Sequence, residues 1–154
     1  MTTDNLRNYF KKQQGSLQWM AVLGAMSAEL SSVSETEDLR DLFFRIGERF
    51  ASGVDVDFDS VQSLTELEGL LNDFWAEHNW GWVSLVETQG YIDITHQCAP
   101  LVQAFGDDSL PWSVGLLAGF YQTMFNGLGA SEGMSVRSEG ESTDGMDIYL
   151  RFGL

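Results

Sequence analysis

The segment from His78 to His96 constrains the fold more than any other part of the chain. Trp80-Gly81-Trp82-Val83-Ser84-Leu85-Val86-Glu87 and Tyr91-Ile92-Asp93-Ile94-Thr95-His96 are rich in aromatic and β-branched residues, and Thr88-Gln89-Gly90 separates them. That pattern predicts a β-hairpin. An amphipathic helical pattern runs directly into it, and a charge-free helical stretch follows it. In the second strand Ile92, Ile94, His96 and Cys98 share the face expected to be buried, with Tyr91, Asp93, Thr95 and Gln97 on the other. Trp80 and Trp82 are expected to share a strand face.

Upstream, residues Ser16 to Leu30 read as a helix with Trp19, Leu23, Met26 and Leu30 on one stripe. Met20 and Val22 widen its apolar surface, so it needs more than one packing partner. A second helix is expected after Ser34 and Glu37, an S-x-x-E capping box, with Leu39, Leu42, Phe43, Ile46 and Phe50 as its stripe and Gly53 as its stop. An acidic connector, Val54 to Asp59, precedes a third helix capped by Ser63 and Glu66. Leu64, Leu67, Leu71, Phe74, Trp75 and His78 recur along it at helical spacing.

Downstream of the hairpin, a short irregular or helical link through Asp107-Asp108 leads to Pro111 and a helix over Ser113–Leu128. Leu117, Phe120, Tyr121, Met124, Phe125 and Leu128 line its main face. Gly115 and Gly119 stand four residues apart, a spacing that admits another backbone at close range. Met134–Arg137 and Met146–Phe152 then form a second hairpin across a loop containing Asp144-Gly145. The expected fold is α+β: N-terminal helices, then a four-stranded, mainly antiparallel sheet of two hairpins with a long helix between them.

Composition narrows the partners. A chain of 154 residues with 44% hydrophobic residues fits one domain, taken here as residues 17–154 behind an N-terminal arm of residues 1–16. The net charge of −15, with 23 acidic groups against 8 basic ones, argues against nucleic acid or an anionic membrane surface. Residues 1–20 are the exception, because Arg7, Lys11 and Lys12 face only Asp4. Two readings of this arm stand: a solvated, partly disordered terminus, or a segment that docks on a neighbouring subunit's acidic surface. Cys98 is alone, so no intrachain disulfide forms, and no secretory signal is visible, which favours the cytoplasm. Ser109–Ser131 is uncharged, but Pro111, Gln122, Asn126 and its glycines mark a buried helix rather than a membrane span.

Little in the residues supports catalysis. His78, His96 and Cys98 are the only soft ligand candidates, too few for a metal centre, and His96 with Cys98 is read as a hydrogen-bonded histidine beside a buried thiol. Nucleophile-elbow, P-loop and dinucleotide motifs are absent from the sequence. Asp55, Asp57 and Asp59 alternate but lack the Gly and distal Glu of an EF-hand loop, so they read as a solvated connector. No catalytic residue, cofactor or metal is therefore assigned. Trp80 and Trp82 are read as core or subunit interface, with direct sugar contact as the minority reading.

Several of these pieces occur in an order resembling the D-subunit of bacterial cellulose synthase. They are Asp38–Gly47, Leu67-Glu68 leading into Asn79–Val83, Ile92–His96 with Pro100, and Gly115-Leu116-Leu117-x-Gly119-Phe120-Tyr121. The resemblance spans the chain from about Leu17. It implies a non-enzymatic accessory subunit of cellulose biosynthesis and biofilm formation, in which dimers assemble into an octameric ring. Passageways inside that ring guide nascent glucan chains and promote crystallisation. The implied partners are further copies of the chain, other subunits of the synthase complex and nascent glucan. Asn5, Arg7, Tyr9 and Lys11 become candidates for the glucan passage; Trp19, Trp80, Trp82, Gly115, Gly119, Phe120 and Tyr121 become candidates for the oligomer interface. Family members have been placed in the periplasm or in a cytoplasmic scaffold beside the inner-membrane synthase, and the missing signal favours the second. A rival resemblance, to 4-vinyl-reductase-like sensors, implies a small-molecule pocket between Ser113–Leu128 and the sheet near His96 and Cys98.

Overall fold

A computed structural model describes residues 3–140 and 145–154, apart from the side chains of Phe10 and Lys11. The elements run α1 (Thr3–Gln13), α2 (Leu17–Val33), α3 (Thr36–Ser52), α4 (Leu64–His78), β1 (Trp82–Thr88), β2 (Tyr91–Gln97), α5 (Leu101–Phe105), α6 (Leu110–Gly127), β3 (Ser135–Ser138) and β4 (Ile148–Gly153). The predicted α+β class is the observed one. The four strands lie in the order β1-β2-β4-β3, and every neighbouring pair is antiparallel. In the first hairpin Thr88 pairs with Tyr91, and Gly90 takes the positive φ of 87° that the two-residue turn requires. Asp144 of the second hairpin's predicted loop lies outside the described residues.

Several boundaries differ from the sequence expectation for local reasons. The expected arm is helical over Thr3–Gln13, where Asp4 occupies the first turn and Lys12 lies close to the end, both favourable to the helix dipole. Ser34 does not cap α3; it closes α2 in an extended conformation, and Glu35 takes the N-cap place without a side-chain bond. Only two residues separate the helices, too few for both caps. Ser63 does cap α4, accepting from the Glu66 N–H at 3.1 Å, while the Glu66 carboxylate accepts from the Gln62 N–H at 3.0 Å. Helix α6 starts at Leu110, three residues earlier than expected, because Pro111 suits the first turn.

Helix α6 is the centre of the molecule. One side faces the sheet, where Phe125 stacks on Phe152 with centroids 4.3 Å apart, and the other meets α3. This position explains its lack of charge, since buried ions without partners are costly. The α3–α6 contact is unusually close: a Cβ on Gly119 would lie 2.0 Å from the Phe44 carbonyl oxygen, and one on Gly47 would lie 1.9 Å from that of Leu116.

Among the described residues, helices cover one face of the sheet. Val83, Leu85, Ile94, His96, Ile148, Leu150 and Phe152 point into the core, while Trp82, Val86 and Tyr149 on the opposite face are exposed. Arg151 crosses that outer face, bonding Asp93 at 3.0 Å and Glu139 at 2.6 Å with its guanidinium above the Tyr91 ring.

Each edge strand is met at one point by a side-chain amide. Asn72 of α4 accepts from the Val83 N–H at 2.7 Å and donates to its carbonyl at 2.9 Å. Gln122 of α6 accepts from the Val136 N–H at 2.8 Å and donates to the Met134 carbonyl at 3.2 Å. Each amide thus replaces a strand neighbour at an otherwise open edge. Asn72→Ala is expected to cost about 2 kcal/mol in urea unfolding, because it leaves two backbone groups of Val83 unsatisfied. A loss below about 0.5 kcal/mol would show that water replaces the amide freely.

Candidate functional site

The polar centre of the core is His96, fully buried on β2 beside Trp75. Its Nε2 donates to the Trp80 carbonyl at 2.6 Å, and its Nδ1 accepts from the Tyr121 hydroxyl at 2.6 Å. The carbonyl partner fixes this tautomer, because a carbonyl can only accept. Burial lowers the His96 pKa from 6.5 to about 4, against a smaller upward pull from the Trp80 carbonyl, so the ring is neutral. Burial likewise pushes the Tyr121 hydroxyl well above its ordinary value, opposed weakly by the nearby Trp75 indole. Both ring nitrogens are engaged inside the protein, leaving neither for a ligand.

Cys98 does not share the His96 face. It lies just past the end of β2, with a positive φ of 57°, and is half-buried. The extended alternation that predicted the pairing ends at Gln97. Leu117, His96 and Tyr121 are each 0% exposed where α6 meets the sheet, whereas a cavity of about 420 Å³ lies nearer the start of α6, between Leu110, Pro111 and Val114 and the sheet residues Ser138, Ile148 and Tyr149. Among the described residues no group of three or more His, Cys, Asp or Glu side chains is placed to hold a metal ion. In the acidic connector, the Asp57 carboxylate accepts the Asp59 N–H at 3.0 Å, a local turn.

The predicted interface residues separate into two groups. Gly115 and Gly119 face the backbone of Arg40 and Phe44, and Phe120 and Tyr121 are 1% and 0% exposed. These four are internal to the protomer, because α6 is sandwiched between α3 and the sheet. Trp80 is half-buried against Phe50 and Trp75, and it precedes β1 rather than sharing a strand face with Trp82. Asn79 in the left-handed region and Gly81 at φ 80° turn the chain between helix and strand. Trp82 is exposed, with its indole donating to Gln97 Oε1 at 2.8 Å.

Trp19 belongs to an uncovered apolar surface on α2. Helix α2 packs mainly on α5, where a Cβ on Gly24 would lie 4.0 Å from the Ala104 carbonyl oxygen; Ser27 is buried, and Leu23 and Leu30 are half-buried. Its other side carries Trp19, Val22, Met26 and Val33, which are 57%, 45%, 56% and 72% exposed. Their three-and-four spacing is that of a helix–helix seam. Glu29 is the only charged residue in the helix. The apolar excess expected of both α2 and α6 therefore reaches the surface on α2 alone.

The arm is tied to the body at its root. Asn79 donates to the Gln13 carbonyl at 2.9 Å, Gln14 donates to the Cys98 carbonyl, and Gln103 donates to Gln14 Oε1 at 3.0 Å. Beyond that root, Asn5 and Tyr9 are exposed and Arg7 is half-buried. Lys11 has its side chain outside the described residues. No sequence motif marks this tether; it depends on glutamines whose partners are distant along the chain.

The family model for the D-subunit of cellulose synthase matches residues 5–153, from within α1 to the end of β4. The chain belongs to the cellulose synthase D-subunit family. The match takes in most of α1, which precedes the Leu17 start of the resemblance carried by the motifs. No curated protein matches the chain. As a member of the cellulose synthase D-subunit family, the chain has an accessory role in cellulose biosynthesis. No helix among the described residues is long and apolar enough to cross a membrane.

Proposed function

We propose that this protein is a non-catalytic, homo-oligomeric accessory subunit of a cellulose synthase complex, and that its copies close into a ring guiding nascent β-1,4-glucan chains. The uncovered face of α2 carries this reading. An apolar seam of Trp19, Val22, Met26 and Val33 in a chain of net charge −15 calls for a partner surface. Assembly through dimers to an octamer follows from the family resemblance, and closed symmetry is the usual outcome for copies of one chain. In the ring, Asn5, Arg7, Tyr9 and Lys11 are the proposed glucan-passage residues, and Trp19 and Trp82 the proposed contact residues. The assembly acts beside the inner-membrane synthase, on its cytoplasmic side, aligning chains so that they crystallise.

Light scattering of the unmodified chain at micromolar concentration is expected to show a multi-subunit species, and Trp19→Glu with Met26→Glu to break it into smaller ones of unchanged helix content. In cells lacking the protein, the unmodified chain is expected to restore cellulose yield and crystallinity while the double variant does not. A monomeric parent, or full rescue by a dissociated variant, would overturn the reading.

A further inference from the structure

Helix α2 presents water with an apolar face that is almost free of charge. Copies carrying −15 each repel one another, yet Leu17–Val33 contains a single acid, Glu29, and no base, so two copies can approach along this helix with little repulsion. The face is also large. Trp19, Val22 and Met26, with Leu17 and Val33 beyond them at 93% and 72% exposure, leave several hundred square ångströms in water, a large share of the about 800 Å² per partner that a standard interface buries. Ala21 and Ala25 are exposed beside the seam and are small enough to admit a second helix at an axial distance of about 8 Å.

The order of residues along the seam selects the occupant and its direction. Trp19, Val22, Met26 and Glu29 are all exposed and follow one another in steps of three, four and three residues, a series that reads the same from either end. An antiparallel copy of the helix therefore sets Trp19 against Glu29 and Val22 against Met26, and every residue of the seam meets a counterpart. A parallel copy in register would set Glu29 against Glu29 and align two helix dipoles, both unfavourable. Among the described residues neither the Trp19 indole N–H nor the Glu29 carboxylate has a hydrogen-bond partner; only the Glu29 backbone carbonyl accepts, from Ser32. Antiparallel pairing brings that donor of one copy to that acceptor of the other.

We propose that α2 pairs antiparallel with α2 of a second copy about a two-fold axis between Val22 and Met26, with Trp19 of each copy against Glu29 of the other. The inference rests on the assembly reading above and names the partner of its α2 face. Such a contact is self-complementary and closes on itself, so it builds a dimer and leaves further growth to other faces.

Cysteine cross-linking tests this contact in the full-length chain with Cys98→Ser as background. Val22→Cys and Met26→Cys chains, co-expressed with tags of different length, are expected to form the mixed disulfide under mild oxidation in preference to either homodisulfide, because only the unlike positions come within bonding reach. Charge exchange gives a second readout by sedimentation. Trp19→Glu is expected to weaken self-association about tenfold at low salt, since it opposes the partner's Glu29, and Glu29→Lys added to Trp19→Glu to restore most of it. Homodisulfides in excess, no disulfide while the parent assembles, or no recovery in the double variant would overturn this pairing and leave the assembly reading standing. A parent that stays monomeric overturns both.

Discussion

Gly119→Ala is expected to lower the melting temperature by about 6–12 °C, a loss of about 3 kcal/mol for a domain of this size. The added Cβ would sit 2.0 Å from the Phe44 carbonyl oxygen and 2.8 Å from its carbon, both backbone atoms that no rotamer change can move aside. Relief requires α3 and α6 to separate. Gly47 makes the reciprocal contact from α3, at 1.9 Å from the Leu116 carbonyl oxygen, so the two helices are locked together from both sides. Gly127 at the end of α6 provides the control, because nothing lies within 4 Å of a Cβ there. Gly127→Ala is expected to be neutral or stabilising by about 0.5–1 kcal/mol through reduced chain entropy. Thermal unfolding of the two variants checks the contrast. A Gly119→Ala protein within about 1 kcal/mol of the parent would show that the helices can part at little cost.

Acid is expected to weaken the fold through His96. In the unfolded chain this imidazole titrates near 6.5, and in the core its pKa falls to about 4. Between those values the unfolded state binds a proton that the folded state excludes, so stability falls as pH falls. The His96 contribution is fully present above pH 6.5 and lost once pH has dropped through about 4. It amounts to about 3 kcal/mol, since each pKa unit is worth about 1.4 kcal/mol. His96→Gln removes the titration, and the difference between parent and variant should vary across this window. At pH 7 the variant is expected to be less stable by about 2 kcal/mol, because the Trp80 carbonyl and Tyr121 hydroxyl lose their partner. Urea unfolding at pH 7 and pH 4.5 checks both effects. Equal pH slopes for parent and variant would mean that His96 can be protonated within the fold.

The same residues show how far local pattern reached. His96 was readable as a buried, hydrogen-bonded histidine because Ile92 and Ile94 alternate with it on one strand face. Its partners were not readable. Tyr121 lies 25 residues away on α6, and the Trp80 carbonyl is brought to the ring by a turn whose positive φ values at Asn79 and Gly81 break the alternation. The same turn misled the reading of Trp80, which follows strand spacing in the sequence but packs among helix-borne aromatic rings. Gly115 and Gly119 announced a close backbone approach, although spacing alone could not distinguish a helix of the same protomer from one of a neighbour. Asn72 and Gln122 carry no signature at all, since an amide becomes an edge clamp only when a strand end is laid beside it.

Sequence by itself determined the α+β class, the four strands, the central uncharged helix and the family, because each depends on periodicity or ordered motifs preserved along the chain. Tertiary structure alone decided which apolar residues became core and which remained surface. Helix α6 was enclosed between α3 and the sheet, whereas the Trp19, Val22, Met26 and Val33 face of α2 was left uncovered. The physical reason is that hydrophobic burial has no direction: periodicity states which residues seek cover, and only the arrangement of the other elements determines which of them find it within one copy.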